Sequence, residues 1–221
     1  MLLIRFQGTQ KNLKSQHHSI SMPFDIIKTK DKFSIQLAKQ LGLSGLFFVD
    51  EDVVIIKASN KAEVRKLIQK ARIKFPIVCL QGSRDEINRE AVEAKADILL
   101  SPEFSREKER DFMEYKNSGL GTVICKLASK NNVAVGINFS DILQAEGNYR
   151  EILLGRIRQN VNLCRKYKVN MLLASFASSS FEMRSVIDLR ALAEQLGMTP
   201  AEAKNSLSLA ENIVKQNFEN I

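Results

Sequence analysis

The sequence is poor in the residues that most often perform chemistry. Its 221 residues include two histidines, His17 and His18, side by side in a polar stretch. Neighbouring side chains diverge on any regular element, so the pair makes a poor metal-ligand set and a poor acid–base couple. Three cysteines, Cys79, Cys125 and Cys164, lie far apart with no Cys-x-x-Cys pair, which excludes the usual zinc and redox spacings. Each sits among apolar neighbours and is expected to be a core thiol. No apolar run approaches the roughly 20 residues of a spanning helix. The apolar opening, residues 1–6, is too short for a signal core, and Lys11 and Lys14 follow it. The expectation is a soluble, cytoplasmic protein with no membrane partner. Neither Gly-x-Gly-x-x-Gly nor Gly-x-x-x-x-Gly-Lys-Ser/Thr occurs, so a dinucleotide or P-loop site has no support.

The remaining polar clusters are equally spare. Asp50, Glu51 and Asp52 follow an apolar run, as an acidic turn between strands does, although such a trio also suits a magnesium ion. Asp97 precedes another apolar run. Residues 175–180, Ser-Phe-Ala-Ser-Ser-Ser, stand where a strand gives way to a helix. Their hydroxyls and N–H groups fit phosphate or RNA contact, or a plain polar loop. No histidine is near enough in sequence to activate a serine.

What the chain has in excess is positive charge. Thirty-three Lys and Arg face 25 Asp and Glu, giving +8, which favours a polyanionic partner. The excess is uneven. Lys61, Arg65, Lys66, Lys70, Arg72 and Lys74 are opposed only by Glu63, and Arg156, Arg158, Arg165, Lys166 and Lys168 only by Glu151.

Short apolar, β-branched runs alternate with longer segments of helical period, the pattern of an α/β protein with a parallel sheet. Strands are expected at residues 2–6, 19–24, 46–49, 53–57, 77–80, 98–100, 133–137 and 171–174. Helices are expected at residues 32–41, 62–72, 84–95, 121–130, 149–167, 184–196 and 201–217, the last either whole or broken. At residues 149–167, Leu153, Ile157, Val161 and Cys164 form an apolar stripe, with Arg158, Asn162 and Arg165 on the opposite face. Thr199, Pro200 and Glu202 spell a capping box, with Gly197 as the preceding helix's C-terminal stop. In α/β barrels the loops after the strands carry function. The connection at residues 50–52 is too short for a helix.

Four stretches resemble one family. They are "ADILLSP" at residues 96–102, "SGLGTVICKLASKNNVAVGINFSDIL" at 118–143, "RQNVNLCRKYKV" at 158–169 and "LRALAEQLGMTPAEAKNSLS" at 189–208. Together they resemble ribonuclease P protein component 3 of archaea and eukaryotes, in order and spacing, over residues 81–217. The resemblance implies a single-domain, TIM-barrel-like parallel β/α barrel over residues 1–221, related to metal-dependent phosphoesterases of the PHP type. It implies a protein that binds the catalytic RNA of ribonuclease P and supports 5′ leader removal from precursor tRNA. It also implies no catalytic residue, metal or cofactor on this chain, with magnesium on the RNA. The partners it implies are ribonuclease P RNA, precursor tRNA and a small ferredoxin-like protein subunit, with a heterotetramer as one arrangement. The family's RNA- or partner-contacting residues fall on Arg89, Lys126, Arg184 and Lys204, to which the basic helix face adds Arg158. Where the family often has Asp-His, this chain has Gly121-Thr122. A free-standing phosphoesterase or nuclease and a general basic RNA-binding module stand as alternatives.

Overall fold

The computed structural model describes residues 22–104 and 110–219. His17, His18, the strand expected at residues 2–6 and residues 19–21 of the one expected at 19–24 lie outside the described residues. The strands are β1 (Phe24–Ile27), β2 (Gly45–Phe48), β3 (Val53–Ile56), β4 (Ile77–Gln81), β5 (Ile98–Leu100), β6 (Ala134–Asn138) and β7 (Met171–Ala174). The helices are α1 (Lys32–Gln40), α2 (Lys61–Arg72), α3 (Asp85–Glu93), α4 (Thr122–Asn131), α5 (Phe139–Gln144), α6 (Gly147–Tyr167), α7 (Val186–Gln195) and α8 (Pro200–Glu219).

Among the described residues all the strand pairs are parallel. β1 pairs with β2, and β3 to β7 form a five-stranded sheet in sequential order. Single parallel bridges, Val49 to Val53 and Ile27 to Ala177, join the two sheets into a ring. The second seam is strengthened by Phe176 N–H donating to Ile26 O at 2.7 Å and Lys28 N–H to Ala177 O at 2.8 Å. Residues along each strand divide between two buried faces. Ile77, Cys79, Ile98, Leu100, Leu172 and Ala174 pack together inside the ring, while Val78, Leu80 and Leu99 face α2, α3 and α4. Strands buried on both faces read as continuous apolar runs, which is why the sequence located most of them.

Helix α8 runs unbroken, because Ala203, Leu207, Ala210 and Val214 keep one face buried along its length. It crosses the N-terminal end of the ring. Asn217 Nδ2 donates to Pro76 O (2.9 Å) and Asp97 Oδ1 (3.2 Å), and Asn132 Nδ2 to Gln216 Oε1 (3.2 Å). The capping box forms: Glu202 N–H donates to Thr199 Oγ1 at 3.2 Å and Thr199 N–H to Glu202 Oε2 at 2.7 Å. Gly197, at φ +98°, ends α7. The 50–52 connection is a turn, with Asp50 left-handed and Asp52 Oδ2 accepting from Phe48 N–H at 2.9 Å. Cys79, Cys125 and Cys164 are all buried thiols.

Most boundaries shift by one or two residues from expectation, and two of the differences have a particular cause. β1 begins at Phe24, because the fully buried Asp25 interrupts the apolar run that would have marked it. α7 begins at Val186, capped by Ser185, whose Oγ accepts from Asp188 N–H at 3.1 Å; Arg184 therefore precedes the helix. The short α5 had no periodic signal and was not expected.

Candidate nucleic-acid interface

Residues 119–122, 138–141 and 175–180 lie at or beyond the C-terminal ends of β5, β6 and β7. Ser140 Oγ donates to Ser175 O at 2.9 Å. Asn88 accepts from Ser83 N–H at 2.7 Å and donates to Gly119 O at 3.1 Å, tying the loop after β4 to the one before α4. The mouth itself is filled by its own polar groups. Ser175 Oγ donates to Asp25 Oδ2 at 2.5 Å and its N–H to Asp25 Oδ1 at 2.6 Å. The phosphate reading of residues 175–180 therefore loses its first residue: Ser175 is fully buried and engaged. Burial pushes the Asp25 carboxyl up to about 6 against the pull of those bonds, and the Glu103 carboxyl up to about 8 against a 2.8 Å bond from Asn160 Nδ2. Among the described residues, no group of three or more His, Cys, Asp and Glu could hold a metal ion.

The expected binding residues separate into distinct places. Arg89, on α3, is exposed and pairs with Glu93 at 2.8 Å. Lys126 is exposed on α4 beside it, one turn beyond Thr122. Arg158 donates to Gln195 O at 3.3 Å, at the end of α7. Its neighbour Arg165 grips Glu202 (2.9 and 2.5 Å) and Gly197 O (2.6 Å). The polar face of α6 thus clasps the α7–α8 turn, and the Arg165 bond holds the Glu202 carboxyl down to about 2. Arg184 stands in the loop before α7, donating to Phe181 O (2.9 Å) and Met183 O (2.8 Å), with its guanidinium 5.1 Å from the Phe139 ring. The five residues occupy four helices and one loop, not five helices. Lys204 is exposed on α8. Among the described residues, neither Lys126 nor Lys204 has an ion pair.

Of the five, Arg89 lines a sizeable groove. The groove, of about 640 Å³, lies between α3 and the N-terminus of α4 and is floored by residues 115–124. Lys61, Arg89 and Lys116 line it, opposed by Asp85 and Glu86. Gly121 caps α4 without a side-chain bond, so the first N–H groups of the helix face the groove, as suits an anion. Lys61 is held by Glu90 at 3.4 Å, and Arg65 bonds both Glu90 and Glu93, stitching α2 to α3.

The groove's far wall belongs to the loop before α4. Arg156, fully buried on α6, donates to Asp111 Oδ1 at 2.9 Å. A buried arginine is tolerated only when paired, so this contact fixes Asp111 firmly. Asp111 Oδ1 also accepts from Asn117 N–H at 2.9 Å. Gln159 bonds Lys116 at both its N–H and its C=O, each at 2.7 Å. Gly155 leaves room for the Lys116 side chain, since a Cβ there would stand 3.0 Å from Lys116 Cε. Between these anchors, Phe112 N–H donates to Tyr115 O at 2.9 Å, and the two rings stack at 4.8 Å and 20°. The available signal was two aromatics and a methionine interleaved with charges in "RDFMEYK".

A family model described as RNase P subunit p30 matches residues 53–220, well over half of the chain. The chain belongs to the RNase P subunit p30 family. This p30-family chain is 35% identical over 160 residues to ribonuclease P protein component 3 of Methanosarcina acetivorans, covering 72% of this chain and 63% of that protein. It thus spans slightly less than two thirds of that relative's length. The Methanosarcina barkeri counterpart is 31% identical over 211 residues, covering 86% of this chain and 84% of its own length. A chain in a cryo-EM structure of archaeal ribonuclease P with mature tRNA superposes with a TM-score of 0.78 at 27% identity, over 90% of this chain and 92% of that one. Aspergillus niger ochratoxinase superposes with a TM-score of 0.51 at 16% identity, over 73% of this chain and 39% of that one, a likeness of fold alone. The p30-family fold is therefore α/β and TIM-barrel-like, as expected.

Proposed function

We propose that this p30-family chain is a protein subunit of ribonuclease P that binds the catalytic RNA and supports endonucleolytic removal of the 5′ leader from precursor tRNA. The observation that carries this reading is the superposition, over nine tenths of its length, on a chain from archaeal ribonuclease P. Charge supports it: a surplus of +8 suits a polyanion. Arg89, Lys126, Arg158, Arg184 and Lys204 contribute to the contacts with RNA or a partner subunit. The chemistry belongs to the RNA and its magnesium, and the chain itself supplies no catalytic group, metal or cofactor. It works in the cytoplasm with ribonuclease P RNA, precursor tRNA and a small ferredoxin-like subunit, in a heterotetramer.

Reconstitution tests the reading. Ribonuclease P RNA is assayed on precursor tRNA at low magnesium, with and without this chain and its partner subunit. The expected outcome is cleavage that depends on the chain, with none from the chain alone. Cleavage equal in both arms would refute it.

A further inference from the structure

We propose that the Phe112–Tyr115 turn is a stacking platform for an unpaired RNA base, whose phosphate lies in the adjoining groove. Three large apolar side chains stand in water within four residues: Phe112 is 57% exposed, Tyr115 54% and Met113 fully so. Exposed apolar side chains gathered at one place mark an interaction site rather than a chance of folding. The chain holds them there deliberately. The buried Arg156, the two-sided grip of Gln159 on Lys116 and the bond from Asn117 to Asp111 all anchor the ends of the turn. None of these anchors buries the turn's own rings, so what they stabilise is presentation.

The chemistry of the surroundings selects the partner. The stacked rings are both more than half exposed, and Tyr115 is itself part of the groove wall. The groove's cations, Lys61, Arg89 and Lys116, share its lining with Tyr115. Aromatic faces beside a cationic channel are how proteins hold single-stranded nucleic acid, because every base has a face to stack and every nucleotide a phosphate. The proposal rests on the ribonuclease P reading for the source of the RNA, but its chemistry is tested separately.

The chain has no tryptophan, so Tyr115→Trp places a single reporter on the platform while keeping a stacking ring. The full chain is titrated with a fluorescent single-stranded adenylate decamer and with an RNA hairpin stem of equal charge. Tyr115→Trp should bind the decamer like the parent, with its emission quenched by the adenines. Phe112→Ala/Tyr115→Ala should bind the decamer roughly ten-fold or more weakly, the scale of one lost stacking contact, and the stem unchanged. Because both side chains are exposed, the thermal midpoint should not move, which separates lost stacking from lost fold. Equal affinity of parent and double variant for the decamer overturns the proposal, as does absence of quenching in Tyr115→Trp. Loss of partner-subunit association with unchanged decamer affinity overturns it too, and makes the turn a protein-docking site. If the platform fails while reconstituted cleavage still depends on the chain, the ribonuclease P reading survives; if cleavage is independent of the chain while the decamer arm succeeds, only that reading falls.

Discussion

At Glu103 the chain buries a carboxyl group beside Asn160, and burial lifts its pKa from 4.5 to about 8. Between those values the folded chain keeps a proton that the unfolded chain has released. Stability from this group is therefore complete below about 4.5 and is lost as pH rises through about 8. For one proton the slope is about −1.4 kcal/mol per pH unit. Asp25 behaves alike over a lower window, from 3.8 to about 6. Urea midpoints measured from pH 5 to 9 should fall, and Glu103→Gln, which has no charge to bury, should flatten the part above pH 6. A parallel decline in the variant would show that the slope belongs to other groups. The two carboxyls were not legible as such in the sequence, where Glu103 stands in a charged run and reads as a surface residue. Only its place against α6 makes it buried.

Among the elements, α6 shows most plainly how one pattern carries two meanings. Its apolar stripe, Leu153, Ile157, Val161 and Cys164, is buried as the spacing requires. Its basic face was read as open to RNA, yet Arg158 and Arg165 reach Gln195 O, Gly197 O and Glu202 on the α7–α8 turn. Helical periodicity assigns side chains to a face but not to a neighbour. The same distinction ranks the five expected binding residues. In salt titrations of complex assembly, each alanine variant that removes a phosphate contact should flatten the slope of log affinity by about 0.7–0.9. Lys126→Ala and Lys204→Ala should do so with no loss of stability. Arg184→Ala should also destabilise the loop before α7, since its guanidinium serves the carbonyls of Phe181 and Met183. Lysine should not rescue it, because an ammonium lacks the planar fork. Slopes unchanged in all five variants would move the binding face elsewhere, with the lysines of α2 next in line.

For the whole molecule the decisive contact is the seam between β1 and the end of β7. A parallel barrel must close on itself or leave an edge, and here the closing strand is only four residues long. Asp25 and Ser175, 150 positions apart, are joined at that seam by two short bonds. Ser175→Ala removes the hydroxyl donor from a carboxyl that has no access to water. The cost should be about 1–3 kcal/mol, read as a lower urea midpoint with an unchanged m-value. A midpoint equal to the parent's would mean that the backbone bonds alone hold the seam.

By itself the sequence determined the strands from β3 onward, most of the helices, their caps and the family. Buried parallel strands, helical stripes and capping residues are local patterns, written within a few residues of where they act. The tertiary structure decided what required distant residues to meet. It set Asp25 against Ser175, turned the basic face of α6 onto α7 and α8, and used the buried Arg156 to fix a turn some 45 residues away. The groove beside Arg89 exists only because α2, α3 and that turn converge. Burial and charge pairing depend on neighbours in space, and a sequence records only neighbours along the chain.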